Sequence, residues 1–288
     1  MLVLSFITVI FIFIIITILI YYNNYFNNYL SSLFYTCDNY FNYQEIWLEI
    51  NNIQYSITTT KNIFKYIIKL LFIFNYDIKF KDNDNIINKT HIIRYETNPF
   101  IKLVLDINNN LWILCRGTST INELTKNLKI TQTKLYNEYY LNNVKCHSGF
   151  IEIYNNIKIE LFNLIKMYNP TNIYAYGHSL GGAIITIAAL NLNKIIGHNN
   201  LVIFTTGMPR NCNIHYKNLI KYNKIKIYNI ENTSDVIVNL IPSLVNYNKQ
   251  ILNYEFPGQR IMFTDNNNCI INNHSIMVYL KNINNVIF

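Results

Sequence analysis

Ser179 is flanked by glycines in a chain that uses few of them. Residues 176–182 read YGHSLGG and hold three of the eight glycines among 288 residues. A strand-like run, Ile173–Tyr176, precedes the serine, and a helix-like run, Leu180–Leu192, follows it. A sharp turn from strand to helix strains the residue at its apex and brings two backbones together, which favours glycine two positions to either side. Gly177 and Gly181 occupy those positions, so the pattern predicts an exposed nucleophilic serine.

A second interpretation of this stretch is a glycine-rich helix start in which Ser179 only caps the helix. Because an N-cap serine needs no flanking glycines, we favour the nucleophile, with Gly177, His178 and Gly181 as parts of its turn. Such a turn places Ser179 at the carboxyl edge of a sheet, where open α/β sheets bind ligands. The free N–H groups of the new helix face the same point.

A nucleophilic serine needs a base, and the base needs an acid to orient it. When the serine lies on a strand-to-helix turn, the order along the chain is serine, acid, histidine. The strand-like run Lys224–Ile230 should deliver an acid just past its end, which leaves Glu231 and Asp235. We favour Asp235, which lies in a turn-like Asn-Thr-Ser-Asp sequence, and keep Glu231 as the alternative.

Three histidines follow the serine in the chain, at positions 198, 215 and 274. Only His274 also follows the candidate acids. A lone histidine is usually a surface or capping residue, but here it completes the required order. We therefore predict His274 as the base.

Ester and amide chemistry at a serine also needs two N–H donors for the developing negative charge. One is the amide of Leu180, directly after the nucleophile. The other is expected from the loop after the strand-like run Leu111–Cys115, where Thr118 is the candidate. The alternative for this loop is an ordinary turn with a structural Arg116.

Strand-like and helix-like stretches alternate from about residue 46 onward. This alternation predicts an α/β fold, with a mostly parallel central sheet and helices on both faces. Two polar segments, Ser119–Asn143 and Asp265–Asn273, are predicted to be irregular. The strand-like stretches are Ile101–Asp106, Leu111–Cys115, Ile173–Tyr176, Leu201–Thr206, Lys224–Ile230 and Arg260–Thr264; the helix-like ones are Lys61–Phe74, Gly149–Tyr168, Leu180–Leu192 and Ile214–Tyr222.

The first twenty residues, Met1–Ile20, are apolar and carry no charged side chain. About 20 such residues span a bilayer as a helix. We predict a transmembrane anchor at 1–22, a linker at 23–45 and one α/β domain at 46–288, and therefore a membrane location. A cleaved signal peptide, and hence secretion, is the alternative. Flanking charges that would set the orientation are absent from the neighbouring sequence.

The net charge of +8 comes from scattered lysines, with only four arginines. Nucleic-acid readout favours clustered arginine, so we expect no nucleic-acid partner. A diffuse basic surface is either simply solvated or attracted to an anionic membrane. The cysteines lack metal-ligand spacing, so no metal site is expected, and they define no disulfide framework. They are Cys37, Cys115, Cys146, Cys212 and Cys269.

Four motifs in a fixed order resemble the class 3 lipases, the fungal triacylglycerol-lipase-like α/β-hydrolases. They are RGT at 116–118, HSGF at 147–150, GHSLGG at 177–182 and TTGMPR at 205–210. The resemblance covers residues from about 95 to 285. It implies an α/β-hydrolase fold, no metal or organic cofactor, and structural roles for His147 and the GMPR turn. The site it implies consists of Ser179 as nucleophile, Asp235 as acid, His274 as base, and Thr118 with Leu180 as the oxyanion hole.

The chain departs from the family pattern in two places. In the family, the acid usually opens the pattern D-x-V-P-x-L-P. Here the sequence from Asp235 to residue 242 reads DVIVNLIP. The family histidine often has a tyrosine three positions later, whereas Tyr279 follows His274 by five. The family lid follows RGT, and Ser119–Asn143 has that place here. Its candidate apolar underside consists of Leu124, Leu128, Ile130 and Leu135.

The resemblance implies ester hydrolysis through an acyl-serine intermediate. The implied substrates are lipid esters of the triacylglycerol, diacylglycerol or phospholipid classes, and no protein partner is evident. One alternative keeps the residues but changes the substrate to a thioester or small ester. Another is a catalytically retired hydrolase fold that binds lipid or a partner at the membrane.

Overall fold

The computed structural model describes residues 59–75, 87–136, 142–267, 270–282 and 284, all within the unit Ile53–Phe288. The predicted anchor at 1–22 and linker at 23–45 lie outside these residues. Within the described ranges, no helix is long and apolar enough to cross a membrane. The predicted domain start near residue 46 stays a prediction.

The described part of the chain is built on a seven-stranded sheet with the order β1-β2-β3-β6-β7-β8-β11. Strands β3, β6, β7, β8 and β11 are parallel, and β1 and β2 add an antiparallel edge. The predicted mostly parallel sheet is confirmed. Its strands are β1 Ile87–Tyr95, β2 Asn98–Asp106, β3 Asn110–Cys115, β6 Asn172–His178, β7 Leu201–Thr206, β8 Lys226–Asn232 and β11 Gln259–Phe263.

Two pairs of short strands lie outside the central sheet. β4 (Gln132–Lys134) pairs with β5 (Lys145–His147), and β9 (Leu244–Tyr247) pairs with β10 (Gln250–Asn253). Both pairs are antiparallel.

Helices cover both faces of the sheet, as predicted. They are α1 Thr60–Asn75, α2 Ile121–Asn127, α3 Ser148–Tyr168, α4 Leu180–Ile196, α5 Ile214–Tyr222, α6 Ile270–His274 and α7 Ile276–Lys281. Phe64 of α1 packs edge-on against Tyr176, a strand residue with no exposed surface. The neighbouring Ala175 points to the other face, because side chains alternate along a strand. There it joins the apolar cluster that contains the buried residues of α3 and α4.

Two segments predicted to be irregular contain regular structure. Ser119–Asn143 includes α2 and β4, and Asp265–Asn273 overlaps the start of α6. Thr120 caps α2 by accepting a hydrogen bond from the Glu123 amide at 3.1 Å. The sequence Thr-x-x-Glu is a known signal for a helix start, so this helix had a local signature.

His147 supports the start of α3, which fits the structural role implied for it. Its Nδ1 accepts a hydrogen bond from the Phe150 amide at 3.4 Å, and its ring stacks on the Phe150 ring at 4.0 Å. Burial lowers the pKa of His147 to about 3, and the nearby Lys129 acts in the same direction. The imidazole is therefore neutral at physiological pH.

We expect the free energy of unfolding to fall as pH is lowered from about 7 toward 4. The folded-state pKa of His147 lies below the unfolded value of about 6.5, so the unfolded chain binds more protons in this window. His147→Gln should therefore reduce the pH slope, by up to about 1.4 kcal/mol per pH unit. Urea unfolding at pH 7, 6 and 5 measures the slope. His215→Gln, at an exposed position, is the matched control, and an unchanged slope in His147→Gln would contradict the assignment.

Candidate active site

Ser179 forms the turn between β6 and α4 and has a strained backbone. Its φ is 54° and its ψ is −123°, a positive-φ conformation that non-glycine residues rarely adopt. The Ser179 amide donates to the Thr206 carbonyl of β7 at 2.9 Å, which holds the turn against the sheet. The hydroxyl makes no capping hydrogen bond to α4. The predicted strained apex is confirmed, and the capping interpretation is wrong. The predicted exposure of the serine is also wrong, because Ser179 is only 8% exposed.

The glycines beside Ser179 lie where no side chain fits. A Cβ on Gly177 would come within 2.3 Å of the Gly181 carbonyl carbon and the Gly182 nitrogen. A Cβ on Gly181 would come within 2.4 Å of the carbonyl oxygens of Cys115 and Arg116. Gly177 therefore lets the helix start lie against its own strand, whereas Gly181 lets it lie against the end of β3. The second contact, with a neighbouring strand, is not visible in the local sequence.

His274 connects Ser179 to Asp235. The His274 Nε2 lies 2.9 Å from the Ser179 Oγ, and its Nδ1 lies 2.7 Å from the Asp235 Oδ2. With its proton on Nδ1, the ring donates to the carboxylate and accepts from the serine hydroxyl. Asp235 follows β8 and is 1% exposed, and His274 is the last residue of α6. The structure thus brings together the three residues in the predicted order.

Glu231, the alternative acid, is engaged elsewhere. Its carboxylate binds Arg260 in a bidentate manner, with Oε1 2.8 Å from Nε and Oε2 2.6 Å from Nη2. Arg260 lies on β11, the strand next to β8. The structure therefore places Asp235, and not Glu231, against His274.

Tyr279, which departs from the family spacing, contacts the candidate acid. Its hydroxyl donates to the Asp235 Oδ2 at 2.7 Å, the same oxygen that faces His274. Burial, followed by the charge and hydrogen bond of Asp235, raises the pKa of Tyr279 well above its usual value, so the phenol stays protonated. A break between α6 and α7 at Ser275, which caps α7, returns the chain toward Asp235. The five-residue spacing reflects that break.

His178 packs behind the histidine that contacts the serine. Its ring centroid lies 4.8 Å from that of His274, and its Nδ1 lies 3.0 Å from the Thr206 Oγ1. Burial, and secondarily the proximity of His274, lowers the pKa of His178 well below its usual value. His178 therefore supports His274 as a neutral ring.

The two predicted oxyanion donors lie on segments that adjoin Ser179. Leu180 is the first residue of α4, so its amide has no acceptor within the helix. Thr118 is exposed in the loop after β3, and its Oγ1 accepts a hydrogen bond from the Asn127 Nδ2 at 2.8 Å. A Cβ on Gly117 of this loop would lie 3.4 Å from the Ser179 Cβ, so the loop runs beside the serine.

Helix α2, in the place of the family lid, is fastened to the Thr118 loop. Arg116 binds the fully buried Glu123 through Nη1 at 2.9 Å and Nη2 at 2.8 Å. The same carboxylate accepts from the Ser119 amide at 2.7 Å. Arg116 thus has the structural role considered for it, in addition to flanking the predicted oxyanion residue. Of the proposed lid underside, Leu135 packs against the core and Ile130 is exposed.

A mostly parallel sheet with a strained serine at a strand-to-helix turn, followed in order by an acid and a histidine, defines an α/β-hydrolase. The family model of the class 3 lipases matches residues 112–245. Over this segment the chain is similar to the class 3 lipases. The matched segment contains Thr118, Ser179 and Asp235, and His274 lies beyond it.

Curated relatives are similar over part of their length. A lipase of Rhizomucor miehei is 25% identical over 179 residues, which cover 60% of this chain and 46% of that protein. Phospholipase A(1) DAD1 of Arabidopsis thaliana is 29% identical over 47% of this chain and 34% of its own length. A secreted mono- and diacylglycerol lipase of Malassezia restricta is 31% identical over 36% of each chain. The chain therefore spans less than half of the length of these relatives.

Solved structures share the fold. A fungal lipase–inhibitor complex matches with a TM-score of 0.51 and 22% identity, over 76% of this chain and 82% of that chain. The native propeptide complex of Rhizomucor miehei lipase matches with a TM-score of 0.50 and 22% identity, over 76% and 69% of the two chains. Both similarities support the α/β-hydrolase architecture seen here.

We expect Gly177→Ala to prevent stable folding, because its Cβ would overlap backbone atoms that no side-chain movement can relieve. The measurements are soluble yield and melting temperature. Gly117→Ala is the matched control, since a Cβ there meets only ordinary contacts, 3.4 Å at the nearest, and should leave the melting temperature nearly unchanged. A normally stable Gly177→Ala protein would show that the helix and strand separate more easily than their spacing indicates.

Proposed function

We propose that this protein is a serine hydrolase that cleaves carboxylic esters of lipids through an acyl-serine intermediate. The hydrogen-bonded series Ser179, His274 and Asp235, at the carboxyl edge of the sheet, is the observation that carries this proposal. The match of residues 112–245 to the family model of the class 3 lipases supports it.

In the proposed reaction, the Ser179 Oγ attacks the ester carbonyl while the His274 Nε2 takes the hydroxyl proton. Asp235 holds the ring in the required tautomer and stabilises its positive charge. The amides of Leu180 and Thr118 donate to the tetrahedral oxyanion. His274 then protonates the departing alcohol. Water, deprotonated by the same nitrogen, attacks the acyl-serine and releases the carboxylic acid.

The names of the curated relatives are the reason for proposing lipid esters as the substrate class. Their names include a lipase, a phospholipase A(1) and a mono- and diacylglycerol lipase. The apolar sequence at 1–22 supports a membrane anchor that would keep the domain beside such substrates. A cleaved signal peptide, and thus a secreted enzyme, is the second candidate, since one relative is named as secreted.

Ser179→Ala should abolish ester hydrolysis while leaving the melting temperature close to that of the wild type. His274→Ala should lose nearly as much activity, because the two groups act as one unit, with losses of roughly 10⁴-fold or more. The full chain and both variants should be assayed against a short-chain ester, an emulsified triacylglycerol and a phospholipid vesicle. Ser179-dependent fatty-acid release would identify the substrate class. Folded wild-type protein that turns over none of them and resists a serine-directed phosphonate would instead indicate a retired fold that binds lipid or a partner.

Substitutions around Asp235 should have graded effects. Asp235→Asn should lower kcat by several orders of magnitude, about 10⁴-fold, because it disturbs the tautomer of His274. Tyr279→Phe removes one hydrogen bond to the carboxylate and should cost about tenfold in kcat/KM. Glu231→Gln is the matched control: it should lower stability through loss of the Arg260 pair, with kcat close to the wild-type value. A Glu231→Gln protein as inactive as Asp235→Asn would reverse the assignment of the acid.

A further inference from the structure

Two cysteines, Cys146 and Cys212, lie opposite each other on antiparallel backbone segments. Cys146 is in β5, and Cys212 follows the GMPR turn after β7. Both side chains are free thiols with no exposed surface. Nothing in the reaction proposed above uses them.

The hydrogen bonds around this pair define its geometry. The His147 amide donates to the Asn211 carbonyl at 2.8 Å, and the Asn213 amide donates to the Lys145 carbonyl at 2.9 Å. The bonds thus join the residues on either side of the cysteines and not the cysteines themselves. This makes the two cysteines a non-hydrogen-bonded antiparallel pair, the type in which directly opposed side chains lie closest.

That geometry suits a covalent bond between the two sulfurs. The Cα atoms of a non-hydrogen-bonded pair are about 4.5 Å apart. A disulfide accepts Cα separations of about 4.4–6.8 Å. The Cys212 thiol has a weak contact with the Glu255 carbonyl oxygen at 3.5 Å, which it would give up on turning toward Cys146.

We propose that Cys146 and Cys212 form a disulfide bond when the chain folds in the presence of a disulfide oxidant. One thiolate attacks a sulfur of the oxidant, for example oxidised glutathione, and releases one reduced glutathione. The second thiolate attacks the protein sulfur of this mixed disulfide and expels a second reduced glutathione. Two protein thiols are oxidised, one glutathione disulfide is reduced, and the thiol protons pass to the glutathione thiolates.

Burial determines when this bond forms. It raises the pKa of both thiols, and each is closed off from solvent in the folded protein. Since the thiolate is the attacking species, exchange is slow in the closed native state and occurs during folding or opening. The redox environment in which the chain folds therefore decides whether the bond is made.

The bond would fasten a small layer of short strands that lies outside the central sheet. β5 pairs with β4 on one side and with the Cys212 segment on the other, and Cys212 also pairs with Glu255. The loop that the bond closes runs from Cys146 to Cys212 and contains the Ser179 turn. Closing a loop of this length in the unfolded chain should raise stability substantially.

The test is to refold the full chain either with reduced and oxidised glutathione or with a strong reductant. Free thiols are then alkylated in denaturant, and the protein is mapped by non-reducing peptide mass spectrometry. We expect one linked peptide, Cys146–Cys212, in the oxidised sample only. We also expect the oxidised protein to melt about 5–10 °C higher than the reduced one.

Variants separate this pair from other cysteines. Cys146→Ala and Cys212→Ala should each abolish the linked peptide and the redox dependence of the melting temperature. Cys115→Ala is the matched control, because Cys115 is equally buried but lies opposite Ile101 of the neighbouring strand β2. This variant should retain both the linked peptide and the redox dependence of the melting temperature. Complete alkylation of Cys146 and Cys212 in folded protein from the oxidising refold, or linkage to a different cysteine, would overturn the proposal. Neither readout depends on ester hydrolysis.

Discussion

The close approach of α4 to strands β6 and β3 is the constraint on which the candidate site depends. A Cβ atom on Gly177 or on Gly181 would lie less than 2.5 Å from backbone atoms of the adjoining segment. Because the helix starts this close to the sheet, the chain must turn sharply, and Ser179 takes up a positive φ. The Ser179 hydroxyl therefore contacts His274 and does not cap helix α4, which begins at the next residue.

A buried carboxylate is the second feature that fixes the site. Burial of a charge is costly unless hydrogen bonds satisfy it. His274 and Tyr279 meet one oxygen of Asp235, and the Ile237 amide donates to the other at 2.9 Å. These partners hold the carboxylate in place, and through it the His274 ring with its second nitrogen on Ser179. The neutral His178 ring behind it adds packing without a competing positive charge.

The departures from the family pattern lie around the site and leave the Ser179, His274 and Asp235 contacts intact. Tyr279 lies five positions after His274 and still reaches Asp235, because the helix breaks between them. In the place of the family lid, the Arg116–Glu123 pair ties α2 to the loop that carries Thr118. The Asn127–Thr118 hydrogen bond is a second link between α2 and the same loop.

The sequence by itself determined the features that act over a few residues. The strained turn at Ser179, the glycines beside it and the alternation of strands and helices all follow from local dihedral and periodicity rules, and the structure contains them. Helix α2 also had a local signature, the Thr120–Glu123 capping pattern, but the prediction rested on the polar composition of the segment and missed it.

Only the tertiary structure decided the features that join distant segments. The sequence left Glu231 open as the acid, and the choice against it rests on Arg260, which the pairing of β11 with β8 brings beside it. The contact of Tyr279 with Asp235 and the pairing of Cys146 with Cys212 also join residues that are far apart in the chain. No periodicity or spacing records such contacts, because they depend on how strands and helices far apart in the chain pack, and that packing is set by the whole core.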